Sequence, residues 1–94
     1  GDLPQASPAR ASGIVNVSNS AITFSGSATA VKFVYIKNTN EQDILITLDN
    51  SNYLIMLSKG EAFASQISVN ANVKVKADAN ESTDNSTIEY YVSK

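Results

Sequence analysis

The 94-residue chain predicts an all-β fold, a small antiparallel β-sandwich or jelly-roll-like barrel of about seven or eight strands with an extended N-terminal arm. Residues 31–57 give the first reason. They run as three apolar segments separated by two polar turns, with Asn, Asp and Ser at the breaks. Spacing is the second reason, because such segments return every ~8–12 residues, the interval of a sandwich or barrel. The third is negative: no apolar stripe at i, i+3, i+4 runs along the chain, so no amphipathic helix competes.

Residues 1–12 read as the arm and residues 13–94 as the folded body. Pro4 and Pro8 fix local φ, lack amide donors and bias the residues before them toward extended conformations. Leu3 is the arm's apolar anchor. Such a segment is either a loose tail or an arm that orders on a neighbouring subunit, on its surface or along a sheet edge.

In the body, Ile14–Val17 forms the first strand and Ser18-Asn19-Ser20 a turn whose side chains bond their own backbone. Ala21–Phe24 is the second strand, closed by Ser25-Gly26-Ser27. Val31–Lys37 is the third and most apolar, with Val31, Phe33 and Tyr35 facing one way and Lys32, Val34 and Ile36 the other. A strand apolar on both faces is central or covers a subunit contact. A hairpin link over residues 38–42 leads to Asp43–Leu48, with Ile44, Ile46 and Leu48 inward. Tyr53–Leu57 is the fifth strand, and Ser58–Glu61 a tight turn in which Gly60 takes positive φ. Ala62–Ala64 continues as a short strand, a single helical turn over residues 61–69 being the alternative, and Ile67 and Val69 extend the apolar alternation. Val73–Ala77 turns its valines inward and Lys74 and Lys76 outward, where lysines guard an edge. A polar surface hairpin loop over residues 79–86 precedes Thr87–Val92, with Ile88, Tyr90 and Val92 inward.

Size and composition narrow the function. A single domain of this length buries little more than ~60% of its unfolded surface. Without cysteine it has no disulfide to help, so association with copies of itself or with a larger partner is the further source of burial. A fold without thiols suits assembly in a reducing cytoplasm. Net charge is −2 and the seven Lys and Arg residues form no cluster, so no nucleic-acid partner is expected. No apolar run approaches ~18 residues, so no membrane-spanning helix is expected. The first ten residues lack the charged and apolar regions of a signal peptide.

Histidine and cysteine are absent, which removes Ser–His–Asp, Cys–His and His-based zinc chemistry, and no catalytic residue is assigned. Most carboxylates fall beside turns, as solvated groups do; Glu89 is on an outward strand face. Oxygen-bearing side chains recur from Asp78 to Glu89 at the spacing of an EF-hand loop. Thr83 stands where that loop needs glycine, Asn85 where it needs an apolar residue, and strands flank it, so the reading is a surface loop with no metal or other cofactor. Phe24, Phe33, Tyr35, Phe63 and Tyr90 are expected in the core. Tyr53 and Tyr91 are expected half exposed, as interface anchors or as a small stacking platform.

The succession from Val34-Tyr35-Ile36-Lys37-Asn38-Thr39 through Asp43–Leu48, Leu57-Ser58-Lys59-Gly60-Glu61-Ala62-Phe63 and Val73–Ala77 to Ile88-Glu89-Tyr90-Tyr91-Val92 resembles small β-sandwich structural proteins of tailed bacteriophages, of the capsid decoration or cement kind. The resemblance covers about residues 31–94 and rests on turns and strands, not on a catalytic signature. It implies a non-enzymatic subunit on the virion's capsid surface, assembled in the host cytoplasm and bound to the major capsid protein or other virion subunits. It also implies a homo-oligomer, a trimer being favoured, with the arm reaching adjacent subunits. On that reading the contacts are Leu3, Pro4 and Pro8 in the arm and Tyr53 and Tyr91 on the body. The alternatives are a tail, neck or fibre subunit, or a carbohydrate- or surface-binding module.

Overall fold

Residues at every second position of the expected strands are mostly Val and Ile, which pack well on a pleated surface, and these residues meet between two sheets. The structure, a computed structural model, describes residues 10–24, 32–68, 71–79 and 85–93, the side chains of Arg10 and Ala11 excepted. Its strands are β1 (Arg10–Val17), β2 (Ile22–Thr23), β3 (Phe33–Asn38), β4 (Ile44–Thr47), β5 (Tyr53–Leu57), β6 (Ala62–Gln66), β7 (Lys74–Ala77) and β8 (Ser86–Ser93). The all-β expectation is met: no helix occurs among the described residues, and Ala62–Gln66 is a strand, not a helical turn.

The first sheet has the order β1-β8-β3-β6 and the second β2-β7-β4-β5, every neighbouring pair antiparallel. The pairs β1·β8, β2·β7, β3·β6 and β4·β5 are those of one long ribbon doubled back at the turn between β4 and β5. Rolling that ribbon places successive pairs alternately in the two sheets, and β3 and β4 then close onto β8 and β7. This is jelly-roll connectivity.

The core lies between the sheets. Val15, Val17, Val34, Ile36, Ile88, Tyr90 and Val92 enter from the first; Ile44, Ile46, Leu57, Val73 and Val75 enter from the second or beside it, with Phe24. Burying a side chain such as Ile36 or Ile44 contributes roughly 1.5–3 kcal/mol. The Tyr90 ring meets Phe24 edge to face at 5.4 Å and lies over Gly13 of β1, where a Cβ would come within 3.4 Å of it.

Three polar residues among those described, Asn38, Thr47 and Ser86, are fully buried. Asn38, fully buried, ends β3. Its Nδ2 donates to the carbonyls of Gln42 and Leu57, both at 2.9 Å. Its Oδ1 accepts from the Asn40 amide at 3.0 Å and from the buried Ser86 hydroxyl at 2.9 Å. Its backbone donates to the Glu61 carbonyl at 3.0 Å and accepts from the Gly60 amide at 2.8 Å. Every donor and acceptor of the residue is used, so its burial carries no desolvation penalty for an unpaired group.

Asn38 also explains where hairpins were wrongly expected. β3 and β4 belong to different sheets, and residues 38–42 form an arch that Asn38 pins to β5 and β8. The segment from Ser58 to Glu61 is the tight turn expected, with the Glu61 amide bonded to the Ser58 carbonyl at 2.9 Å, the Ser58 amide bonded to Glu61 Oε1 at 2.7 Å and Gly60 at φ +86°, and it too crosses between the sheets. The connection from β7 to β8 joins two sheets too, and is not a hairpin. Between consecutive strands, only β4 and β5 pair.

Other expectations shift in detail. β1 starts at Arg10, so Arg10–Ser12, read as arm, pair with Tyr91–Ser93. β7 lies between β2 and β4, so Lys74 and Lys76 guard no edge. Phe33 and Tyr35, expected in the core, stand half-buried on the outer face, and Val34 and Ile36 take the inner one; Phe63 is half-buried against the core. The arm over residues 1–9, the turn expected at residues 25–27, and Val31 and Val69 lie outside the described residues.

Replacing Asn38 by Ala removes the side-chain hydrogen bonds at this buried point, among them those to the Leu57 carbonyl and from the Ser86 hydroxyl. The expected loss is about 3 kcal/mol, seen in thermal denaturation by circular dichroism as a midpoint lower by roughly 10–20 °C. Asn38→Asp, which aims a carboxylate at two carbonyls, should be at least as damaging.

Candidate interaction surfaces

The register of the first sheet assembles an aromatic face on the outside of the sandwich. Tyr91 of β8 lies opposite Ser12 of β1 and Tyr35 of β3, and Tyr35 lies opposite Ala64 of β6. Phe33 lies between Ser93 and Gln66. The Phe33 and Tyr91 rings meet edge to face, centroids 6.0 Å apart at 61°. Their outer neighbours, Ser12 and Ala64, are small, and the rings are only partly buried. Beside this group Ile14 is 71% exposed, and Lys37 and Glu89 oppose each other by register.

The second sheet presents a different outer face. Leu45 of β4 lies between Lys76 of β7 and Met56 of β5. The β4·β5 register shifts between Ile46 and Thr47, so that Tyr53 opposes Thr47. Lys76 Nζ sits 4.3 Å from the centre of the Tyr53 ring, a cation–π contact. Burial pushes the Tyr53 phenol above its usual range. Leu54 is 87% and Met56 54% exposed along this edge strand.

Tyr53 and Tyr91 therefore occupy opposite outer faces and form no common platform. Each instead anchors its own patch, Tyr53 with Lys76 and Tyr91 with Phe33 and Tyr35. The arm candidates Leu3, Pro4 and Pro8 lie outside the described residues. Sequence reasoning missed Phe33 and Tyr35 as outward residues, although the two-sided apolar pattern of β3 had marked the strand. It also missed Leu54 and Met56, because Tyr53–Leu57 is apolar throughout and gives no alternation to read.

The turn between β4 and β5 is the most polar feature. Asn50 adopts φ 71°, and Asp49 accepts hydrogen bonds from the Asn52 amide (2.7 Å), Asn52 Nδ2 (2.8 Å), the Ser51 amide (2.9 Å) and the Thr47 hydroxyl (2.8 Å). These donors hold the Asp49 carboxyl well below the usual carboxylate range, those of Asn52 contributing most. Asp49 thus shapes the turn, and its oxygens are already engaged. Among the described residues no group of three or more acidic side chains converges as a metal site. In the calcium-like pattern, Ile88 is buried and Glu89 lies on the outer face of β8, while residues 80–84 fall outside the described residues.

Two cavities open beside Leu48 where β5 and β6 end the sheets. One of about 460 Å³ is lined by Leu48, Ser65, Gln66, Ile67, Ser68 and Ala71. The other, of about 330 Å³, is lined by Ile46, Leu48, Asp49, Asn52, Leu54 and Ile55. Among the described residues the ion pair Lys59–Glu41, at 2.9 Å, is fully at the surface and contributes little.

Comparison with known proteins gives no match to a family model, to a curated protein or to a solved structure.

The depressed pKa of Asp49 sets a pH dependence. The folded chain takes up this proton at lower pH than the unfolded chain, so the turn's contribution is complete above the ordinary value of 3.8 and is lost on further acidification. In urea titrations, the stability difference between the native chain and Asp49→Asn should be flat around neutral pH and narrow below pH 3.8.

Proposed function

We propose that the chain is a non-enzymatic structural subunit of a tailed-bacteriophage virion, decorating or cementing the capsid shell. The observation that carries this reading is the outward aromatic group Phe33, Tyr35 and Tyr91 on a sheet whose inner face already fills the core. Aromatic residues with an apolar body and a polar tip are the favoured anchors of protein interfaces. Jelly rolls recur in capsid and lectin domains, so the fold is compatible with the role without selecting it.

Ring geometry favours a protein partner over a sugar. Phe33 and Tyr91 are inclined at 61° to each other, so they present an edge and a face, not one flat surface for a pyranose to stack on. Contacts of modest area on each subunit become tight when repeated over a lattice, which suits a shell-binding role. Binding through residues 1–9, including Leu3, Pro4 and Pro8, would add area beyond the sheet face.

The test is co-sedimentation of the purified chain with capsids of the phage that encodes it. Binding that falls about 30-fold in Tyr91→Ala, as for an interface residue worth about 2 kcal/mol, with an unchanged circular-dichroism spectrum at the assay temperature, is the expected result. No binding to shells, tails or fibres, together with retention on glycan surfaces, would overturn the reading.

A further inference from the structure

One flank of the sandwich is open in both sheets, because β6 ends the first sheet and its chain neighbour β5 ends the second. Sheet edges are commonly shielded by lysine, proline or a bulge. β6 has none of these. It reads Ala-Phe-Ala-Ser-Gln and pairs regularly with β3 over its whole length. Two hydrogen bonds fix the direction in which its backbone faces: Ile67 N–H to the Lys32 carbonyl (2.7 Å) and Asn38 N–H to the Glu61 carbonyl (3.0 Å). Direction alternates along an antiparallel ladder. Residues 61, 63, 65 and 67 therefore address β3, while Ala62, Ala64 and Gln66 turn their amides and carbonyls outward. The Gln66 carbonyl accepts the Ser65 hydroxyl at 2.8 Å. The outward groups of Ala62 and Ala64 have no partner among the described residues.

We infer that this flank binds a second copy of the chain, β6 against β6 in antiparallel pairing about a two-fold axis at Ala64. Three observations select a copy over a foreign strand. The outward residues are placed symmetrically about Ala64, so Ala64 meets its equivalent and Ala62 meets the other copy's Gln66, all in hydrogen-bonded positions. Neither edge strand carries a charge, and a two-fold contact, which sets like against like, requires that. Finally, a single added strand covers one edge, whereas a second copy, with its own β5 beside its β6, brings both open edges into the contact.

The same pairing sets Phe63 opposite the other copy's Ser65, in a position where side chains approach closely. Phe63 then stands at the rim of the cavity formed by Leu48, Ser65, Ile67 and Ala71. On the outer face the two first sheets become one of eight strands, with Tyr91 and Tyr35 on either side of the paired alanines. This contact does not rest on the virion reading.

Sedimentation of the full chain over about 1–100 μM, a range that brackets a micromolar dissociation constant, should show a monomer–dimer equilibrium. Amide exchange at Ala62 and Ala64 should slow as the dimer fills. Ala64→Lys places two cations on the axis and should give a monomer with an unchanged circular-dichroism spectrum. Ala64→Glu should do the same, and an equimolar mixture of the two should recover the dimer. A native chain that stays monomeric or forms trimers overturns the inference. So does fast exchange at Ala62 and Ala64 at the highest concentration, or a mixture of the charged variants that does not pair.

Discussion

The saturated hydrogen bonding of Asn38 holds the two sheets in their present relation. Van der Waals packing between sheets is non-directional and tolerates sliding, but hydrogen bonds have fixed lengths and angles. Asn38 ends β3 in the first sheet and reaches the Leu57 carbonyl at the end of β5 in the second. It also binds Ser86 at the start of β8, 48 residues away. Three strands are registered at one buried point, and the arch at residues 38–42 and the turn at residues 58–61 share it. The bonds to the Leu57 carbonyl and from the Ser86 hydroxyl are buried, and each counts more in this apolar setting than at the surface.

With the interior fixed in this way, the outer faces are free to differ. The first sheet shows aromatic rings among small neighbours; the second shows Leu45 and Met56 beside Lys76 and its Tyr53 contact. The strands at the open flank carry no charge. Small β domains without disulfides or metals have little surplus stability. Surfaces of this kind suit a chain that completes its burial on other molecules, and the reading of a virion subunit draws on the same property.

Much of the fold was legible because apolar residues alternate along β8, at the start of β4 and up to β7: Ile44 and Ile46, Val73 and Val75, and Ile88, Tyr90 and Val92 are all buried as their spacing implies. Connectivity was less legible. Asn38, Thr39 and Asn40 look like a hairpin because the same residue types serve tight turns and arches. What separates the two is whether the asparagine side chain points to water or into the core, which no local pattern encodes. β3 was ambiguous for another reason: with apolar residues on both faces, its alternation does not say that Val34 and Ile36 take the interior and Phe33 and Tyr35 the outer face. The aromatic surface followed from that choice. For Tyr53 and Tyr91 partial exposure was legible, but not that they lie on opposite sheets.

The nested pairing has a consequence for biosynthesis. β1 finds its partner only in β8, and the paired residues Asn16 and Thr87 are 71 positions apart. A ribosome therefore delivers β1 long before the strand that completes its ladder, and the nascent polypeptide holds it without that partner until the whole ribbon has emerged. Non-local pairing of this kind folds slowly. The ladder of the first sheet therefore closes only once β8 has been made.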